Sequence, residues 1–241
     1  MRPLCRLPRR PSPAALLAAV ALAAAASARP ASAQLFGLPV VQSPFPGRPF
    51  AVALDGGTAS DGVRVGGVAI AAHRPAGRIV ATLGIGRADG FERVRTTYGG
   101  RLSYALRLGE SGAIAAAPFA GYGAIARGDA TQNPEREPRL TGSLSIVPVG
   151  AGLGYRRLLF GRAAAVHLTP QAQWWRRAEG SGVASASTWF GRVGAGVDVA
   201  ITSQIGLSLA SEFGASTADV TAGPRGRLFG IALSYAPARR R

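Results

Sequence analysis

The chain contains no lysine: its 28 basic residues are all arginine, set against 12 acids in 241 residues. An all-arginine basic set reads as the mark of a GC-rich genome rather than of a designed binding surface. Charged residues make up only 17% of the chain, and there are one cysteine and two histidines. Past residue 33 no apolar run approaches the roughly 20 residues that a spanning helix needs, which excludes a polytopic helical membrane protein. The 33 glycines have no three-residue period, which excludes collagen. With 47% hydrophobic residues and a mean hydropathy of +0.17, an intrinsically disordered chain is excluded too.

What is present begins with an address. Arg2, Arg6, Arg9 and Arg10 form a positive n-region, Ala14 to Ala26 is apolar, and Ala31-Ser32-Ala33 is a small-x-small cleavage site. This is the layout of a secretory signal peptide over residues 1–33. Cys5 lies before the apolar stretch, so lipid anchoring is not expected. The exported chain would then carry no cysteine, hence no disulfide, thiol nucleophile or thiolate metal site. Removing the leader takes away five arginines and no acid, leaving 23 against 12, a net charge of +11. An exported chain has no place for an intracellular nucleic-acid partner.

Residues 34–48 read as an extended segment and 49–236 as one β domain. Period-two alternation is the recurring signal. In 97–108 Tyr98, Leu102, Tyr104, Leu106 and Leu108 oppose Thr97, Gly99, Arg101, Ser103 and Arg107. A strand separates those two sets cleanly, whereas a helix scatters them. The same test identifies strands over 164–175, 189–201, 205–213 and 227–235. Weaker ones are expected near 49–55, 63–73, 78–87, 112–127 and 141–157. A switch of apolar parity between Val65 and Val68 suggests a β-bulge at Gly66-Gly67. Pro118, Pro148 and Pro170 each remove a ladder donor and mark a bulge or a strand boundary.

Ten strands place short links at Arg74 to Gly77, Glu110-Ser111, Leu158 to Gly161 and Ser203-Gln204. Longer polar links fall at 56–62, 88–96, 128–140, 178–188 and 217–226. Alternating short and long links imply an antiparallel up-and-down barrel with turns at one rim and loops at the other. Eight and twelve strands are the neighbouring even counts. The less apolar face is mostly Gly, Ser and Ala, and aromatics such as Tyr98, Tyr155, Trp174, Trp189, Phe213, Phe229 and Tyr235 tend toward strand ends. Both features suit a transmembrane β-barrel with its apolar face in lipid. Such a closed barrel is the only way for strands to span a bilayer. The alternative is a soluble periplasmic barrel, lipocalin-like, with the apolar face turned inward around a ligand.

The last strand, RLFGIALSY, alternates Phe229, Ile231, Leu233 and Tyr235 and ends on an aromatic. With the leader and the strand rhythm, it makes the chain resemble the small outer-membrane β-barrel proteins of Gram-negative bacteria, over about 49–236. The resemblance implies an outer-membrane location, contact with lipid and lipopolysaccharide, and a monomer delivered by the barrel assembly machinery, which would read those four residues. A basic tail, 237–241, departs from the family's usual aromatic ending.

Chemistry-bearing residues are few. Arg64, Arg101, Arg107 and Arg192 are expected to face the lumen with Asp198 and Glu212, giving +2. Arg192 or Arg101 is expected to pair with Asp198 or Glu212 across it, as a salt-bridged plug. His167 is expected to be a hydrogen-bonded lumen histidine. No acid neighbours it in sequence, so neither a hydrolytic site nor a metal site is expected. Gly121-x-Gly123, Gly150-x-Gly152-x-Gly154 and Gly194-x-Gly196 resemble nucleotide loops but precede no helix, so no cofactor follows from them. The polar stretch TQNPEREPRL (131–140) is a candidate contact surface for lipopolysaccharide or a partner. The expected function is a non-enzymatic outer-membrane barrel with a structural, surface-interaction or narrow-pore role.

Overall fold

Alternating side chains along the chain favour strands, and every described element is one. A computed structural model describes residues 50–59, 64–73, 78–89, 95–109, 111–126, 143–178, 185–214 and 228–237. The strands are β1 (Phe50–Ala59), β2 (Arg64–His73), β3 (Ile79–Asp89), β4 (Arg95–Tyr104), β5 (Leu106–Leu108), β6 (Ile114–Ile125), β7 (Ser143–Leu159), β8 (Arg162–Ala178), β9 (Ala186–Ala200), β10 (Ile205–Gly214) and β11 (Leu228–Tyr235). Neighbours in sequence pair antiparallel, and β1 pairs with β11 to close the sheet. β4 and β5 meet β6 in one continuous register and differ only by a break at Ala105, so the barrel has ten staves. The leader, the segment 34–48, the 131–140 stretch and the end of the basic tail lie outside the described residues.

The register fixes the shape. Cα partners run from Asp198 through Ser208, Ala232, Asp55, Gly67, Gly86, Thr97, Ile125, Leu144 and Arg177 to Ala186. One circuit therefore returns to β9 twelve residues away, from 198 to 186, which is a shear of 12 on ten strands. With ordinary strand spacings this gives a tilt of about 40° and a radius of about 10 Å. A ten-residue strand at that tilt rises about 25 Å.

Three sequence expectations change. The ladders through Gly66-Gly67 run without interruption on both sides, so no bulge forms there. Val65 simply faces inward, 6% exposed, and Val68 outward. Pro118, Pro148 and Pro170 lie within β6, β7 and β8 and not at boundaries. Pairing lapses opposite Pro148 and Pro170 but resumes in the same register, so proline deletes ladder bonds without shifting the strand. The expected alternation of links also fails early. β1 runs on to Ala59 and β3 to Asp89, which shortens the first two loops to 60–63 and 90–94. Gly56 and Gly57 look loop-like in sequence, but partners on both sides hold them in the ladder.

The short turns are built locally. Phe160 and Gly161, at φ 52° and 75°, connect β7 to β8, the paired positive φ of a two-residue type I′ turn. Thr202 Oγ1 accepts bonds from the amides of Gln204 and Ile205, at 3.1 and 3.0 Å, and folds the β9–β10 turn.

Candidate functional site: the barrel lumen

Apolar residues point out. Leu83, Leu102, Leu168 and Trp189 are 68%, 60%, 53% and 60% exposed, while the inward positions of β6 to β10 are largely buried. Aromatics form two outward rings. Phe50, Tyr104 and Tyr235 end their strands at the short-turn rim, and Tyr155 pairs there with Ile114. Tyr98, Tyr122, Phe213 and Phe229 lie toward the other rim, with Trp174 directly opposite Trp189. Between the rings the outward positions of the described strands carry no charge. Outward arginines occur only near strand ends: Arg64, Arg87, Arg157, Arg162 and Arg176.

Inside, large polar side chains stand on β8, β9 and β10, and four of them face a glycine on a neighbouring strand. His167 pairs with Gly196, Gln171 with Gly150, Arg192 with Gly214, and Glu212 with Gly194. On the opposite wall Arg101 pairs with Gly121. A Cβ at Gly214 would lie 2.6 Å from Arg192 Cγ, and one at Gly196 would meet the His167 ring. The glycine strings are therefore seats for long neighbours in a narrow lumen.

The central network is Arg192–Glu212. Arg192 Nε donates to Glu212 Oε1, and both side chains are 4% exposed. Gln173 Nε2 donates to the same oxygen at 3.1 Å, and Trp175 Nε1 donates to Gln173 Oε1 at 2.9 Å. Trp175 packs edge-on against Phe190, with centroids 5.5 Å apart at 77°. Buried Ile125, Leu144 and Ile146 belong to the same upper part of the lumen. Nearer the short-turn rim, His167 Nδ1 lies 3.4 Å from Asp198 Oδ2.

The expected pairing is thus resolved in one of its forms: Arg192 takes Glu212, from adjacent strands and not across the lumen. Asp198 meets His167, so an acid distant in sequence does neighbour that histidine. The other edge of the ring, Nε2 and Cε1, lies over Gly196. Arg101, 7% exposed, lies with Cζ 3.6 Å from the Phe119 ring centre. Arg64 is not in the lumen: it shares the outward parity of Val68 and Ile70 and is exposed. Arg107 keeps the inward parity of Arg101 but sits beyond Tyr104, the last β4 residue paired to β3, and is exposed at the rim. Phe229, Ile231, Leu233 and Tyr235 share the outward face of β11.

Gln173 and Trp175 were legible as lumen residues by carrying the His167 parity forward along β8. Asp55 was not, because it stands at the expected end of its strand, just before Gly56-Gly57; it faces inward between Gly67 and Ala232. Among the described residues no cluster of His, Cys, Asp and Glu could hold a metal ion. No protein-family model matches the chain, and no curated protein matches it either.

Proposed function

We propose that this chain is a non-enzymatic integral β-barrel of a Gram-negative outer membrane, similar to the small outer-membrane barrel proteins. The observation that carries this reading is the outward band of aliphatic side chains between two aromatic rings, with charge only at strand ends. Burying aliphatic surface in lipid and placing amphipathic rings at the interfaces is how a barrel is held at one depth. The strand rise of about 25 Å agrees with the height of such an apolar band. A soluble barrel would expose the same residues to water at a cost of about 25 cal/mol per Å². The polar residues lie where a lipocalin-like barrel would need an apolar ligand wall: Arg101, His167, Gln171, Gln173, Arg192 and Glu212 are inside and Leu102 is outside.

In this reading the protein is exported, assembles as a monomer through the barrel assembly machinery, and contacts phospholipid and lipopolysaccharide. The test is extraction and gel mobility. The chain should require detergent for release from the outer-membrane fraction, and its band should shift when the sample is boiled. Recovery in the soluble periplasmic fraction without a shift would refute the reading and favour the ligand-binding barrel.

A further inference from the structure

The aromatic ring toward the long-loop rim is interrupted: β1, β2 and β3 contribute no aromatic to it. On that arc the outward positions form two rows across the ladder. Nearest the rim, Asp89, Arg64, Thr58 and Phe229 are successive register partners, and below them come Arg87, Gly66, Gly56 and Ile231. Arg64 and Arg87 are both exposed and stand as diagonal neighbours, about 7 Å apart at Cα. Asp89 ends β3 opposite Arg64, whereas the register partners of Arg87 are the uncharged Gly66 and Thr96. The two rows therefore keep one positive charge in excess.

The barrel itself does not explain the outward glycine pair. Gly56 and Gly66 are extended, and the ladder runs through them without a bulge. A Cβ at either would have its nearest atom at 3.8 Å, an ordinary contact. Gly196 and Gly214 differ, since a Cβ there would meet the long lumen neighbour that each one seats. Glycine in mid-strand weakens the strand and offers lipid no side chain, and it often marks a close approach to the backbone. The pair leaves a shallow notch. Arg64 and Arg87 border it toward the rim, and Ile231, Leu54 and Val68, 48%, 59% and 38% exposed, border it toward the apolar band.

We propose that this notch binds the phosphorylated glycolipid of the outer leaflet, with Arg64 and Arg87 holding one phosphate and an acyl chain lying over Gly56 and Gly66. This rests on the membrane reading above and assigns its lipid contact to one arc of the barrel. A guanidinium fork bonds two phosphate oxygens at once, and two long side chains rooted about 7 Å apart can converge on one phosphate. Positive charge directly above bare backbone and aliphatic walls matches a charged headgroup joined to its chains. Free phosphate would leave the notch empty.

The experiment uses the full barrel in neutral detergent, with folding verified first by the boiling-dependent gel shift, and counts bound lipid by native mass spectrometry. The probes are bis-phosphorylated lipid A, its dephosphorylated form, phosphatidylglycerol and inorganic phosphate. Wild type should retain bis-phosphorylated lipid A in preference to the other three. Arg64→Gln with Arg87→Gln should weaken that binding about tenfold or more. Gly56→Leu with Gly66→Leu should weaken it with both arginines in place, and Arg176→Gln, on the opposite side of the barrel, should leave it unchanged. No retention of lipid A, or equal retention of its dephosphorylated form or of phosphatidylglycerol, would overturn the proposal. So would displacement by inorganic phosphate, binding unmoved in either double variant, or an equal loss in Arg176→Gln. The membrane reading would survive each of those results. A protein that shows no shift and stays soluble would overturn both.

Discussion

Removing the Glu212 carboxylate should be among the most damaging single changes in this barrel. Arg192 and Glu212 are each 4% exposed at the side chain, and Gln173 donates to the carboxylate as well. Glu212→Ala leaves the Arg192 guanidinium buried without its counter-charge, which costs about 3–5 kcal/mol. Arg192→Met alone leaves the carboxylate in the same position and should cost a similar amount. The two losses should not add. Arg192→Met with Glu212→Leu replaces both charges by apolar volume, and such exchanges of buried pairs are commonly neutral or stabilising by about 1–4 kcal/mol. The double variant should therefore lie within about 1 kcal/mol of wild type or above it. The measurement is urea unfolding of the barrel refolded in lipid vesicles, followed by tryptophan fluorescence and by the unboiled gel band. Strictly additive losses, or a Glu212→Ala variant within about 1 kcal/mol of wild type, would refute the argument that this pair is buried and mutually dependent.

Leu102→Arg places a charge in the middle of the outward band; in lipid it should cost about 2–4 kcal/mol, whereas at a water-exposed site the same change would stay within about 0.5 kcal/mol. Refolding titrations in vesicles against detergent-free buffer separate those outcomes. Gly150→Ala should destabilise by about 1–3 kcal/mol, because its new Cβ would meet the Pro170 carbonyl and lie 2.7 Å from Gln171 Cβ. Gly191→Ala, with nothing within 4 Å, should be neutral in the same unfolding assay. Phe160 occupies the left-handed region at φ 52° and is 92% exposed, so Phe160→Asn should raise stability by up to about 1 kcal/mol. A loss of stability there would mean that the Phe160 ring makes a stabilising contact, such as with lipid.

The sequence by itself determined which side chains share a face. Alternation in a strand is a local property of two-residue period, so 97–108, 164–175, 189–201, 205–213 and 227–235 could be sorted without knowing any partner strand. It also carried the even strand count and the antiparallel succession, because links alternate between short and long and the four short ones leave no room for a crossover. It failed where local composition and pairing disagree. Gly56-Gly57 and Gly66-Gly67 look like loop or bulge in isolation, yet strands on both sides hold them extended, and with that Arg64 moves outward and Asp55 inward.

Register was beyond the sequence's reach. Nothing in 189–199 or 205–213 says that Gly194 stands opposite Glu212 or that Gly214 stands opposite Arg192. A slip of two residues would preserve every face and change every neighbour. The choice of Glu212 and not Asp198 as the partner of Arg192 therefore waited on the folded barrel. So did the approach of Asp198 to His167 and the isolation of Arg101 over Phe119. The shear of 12 is a sum over all ten interfaces, fixed only when β11 meets β1. Which side chains share a face is a property of single strands, whereas which face is inside and how far apart the charges stand are properties of the closed sheet.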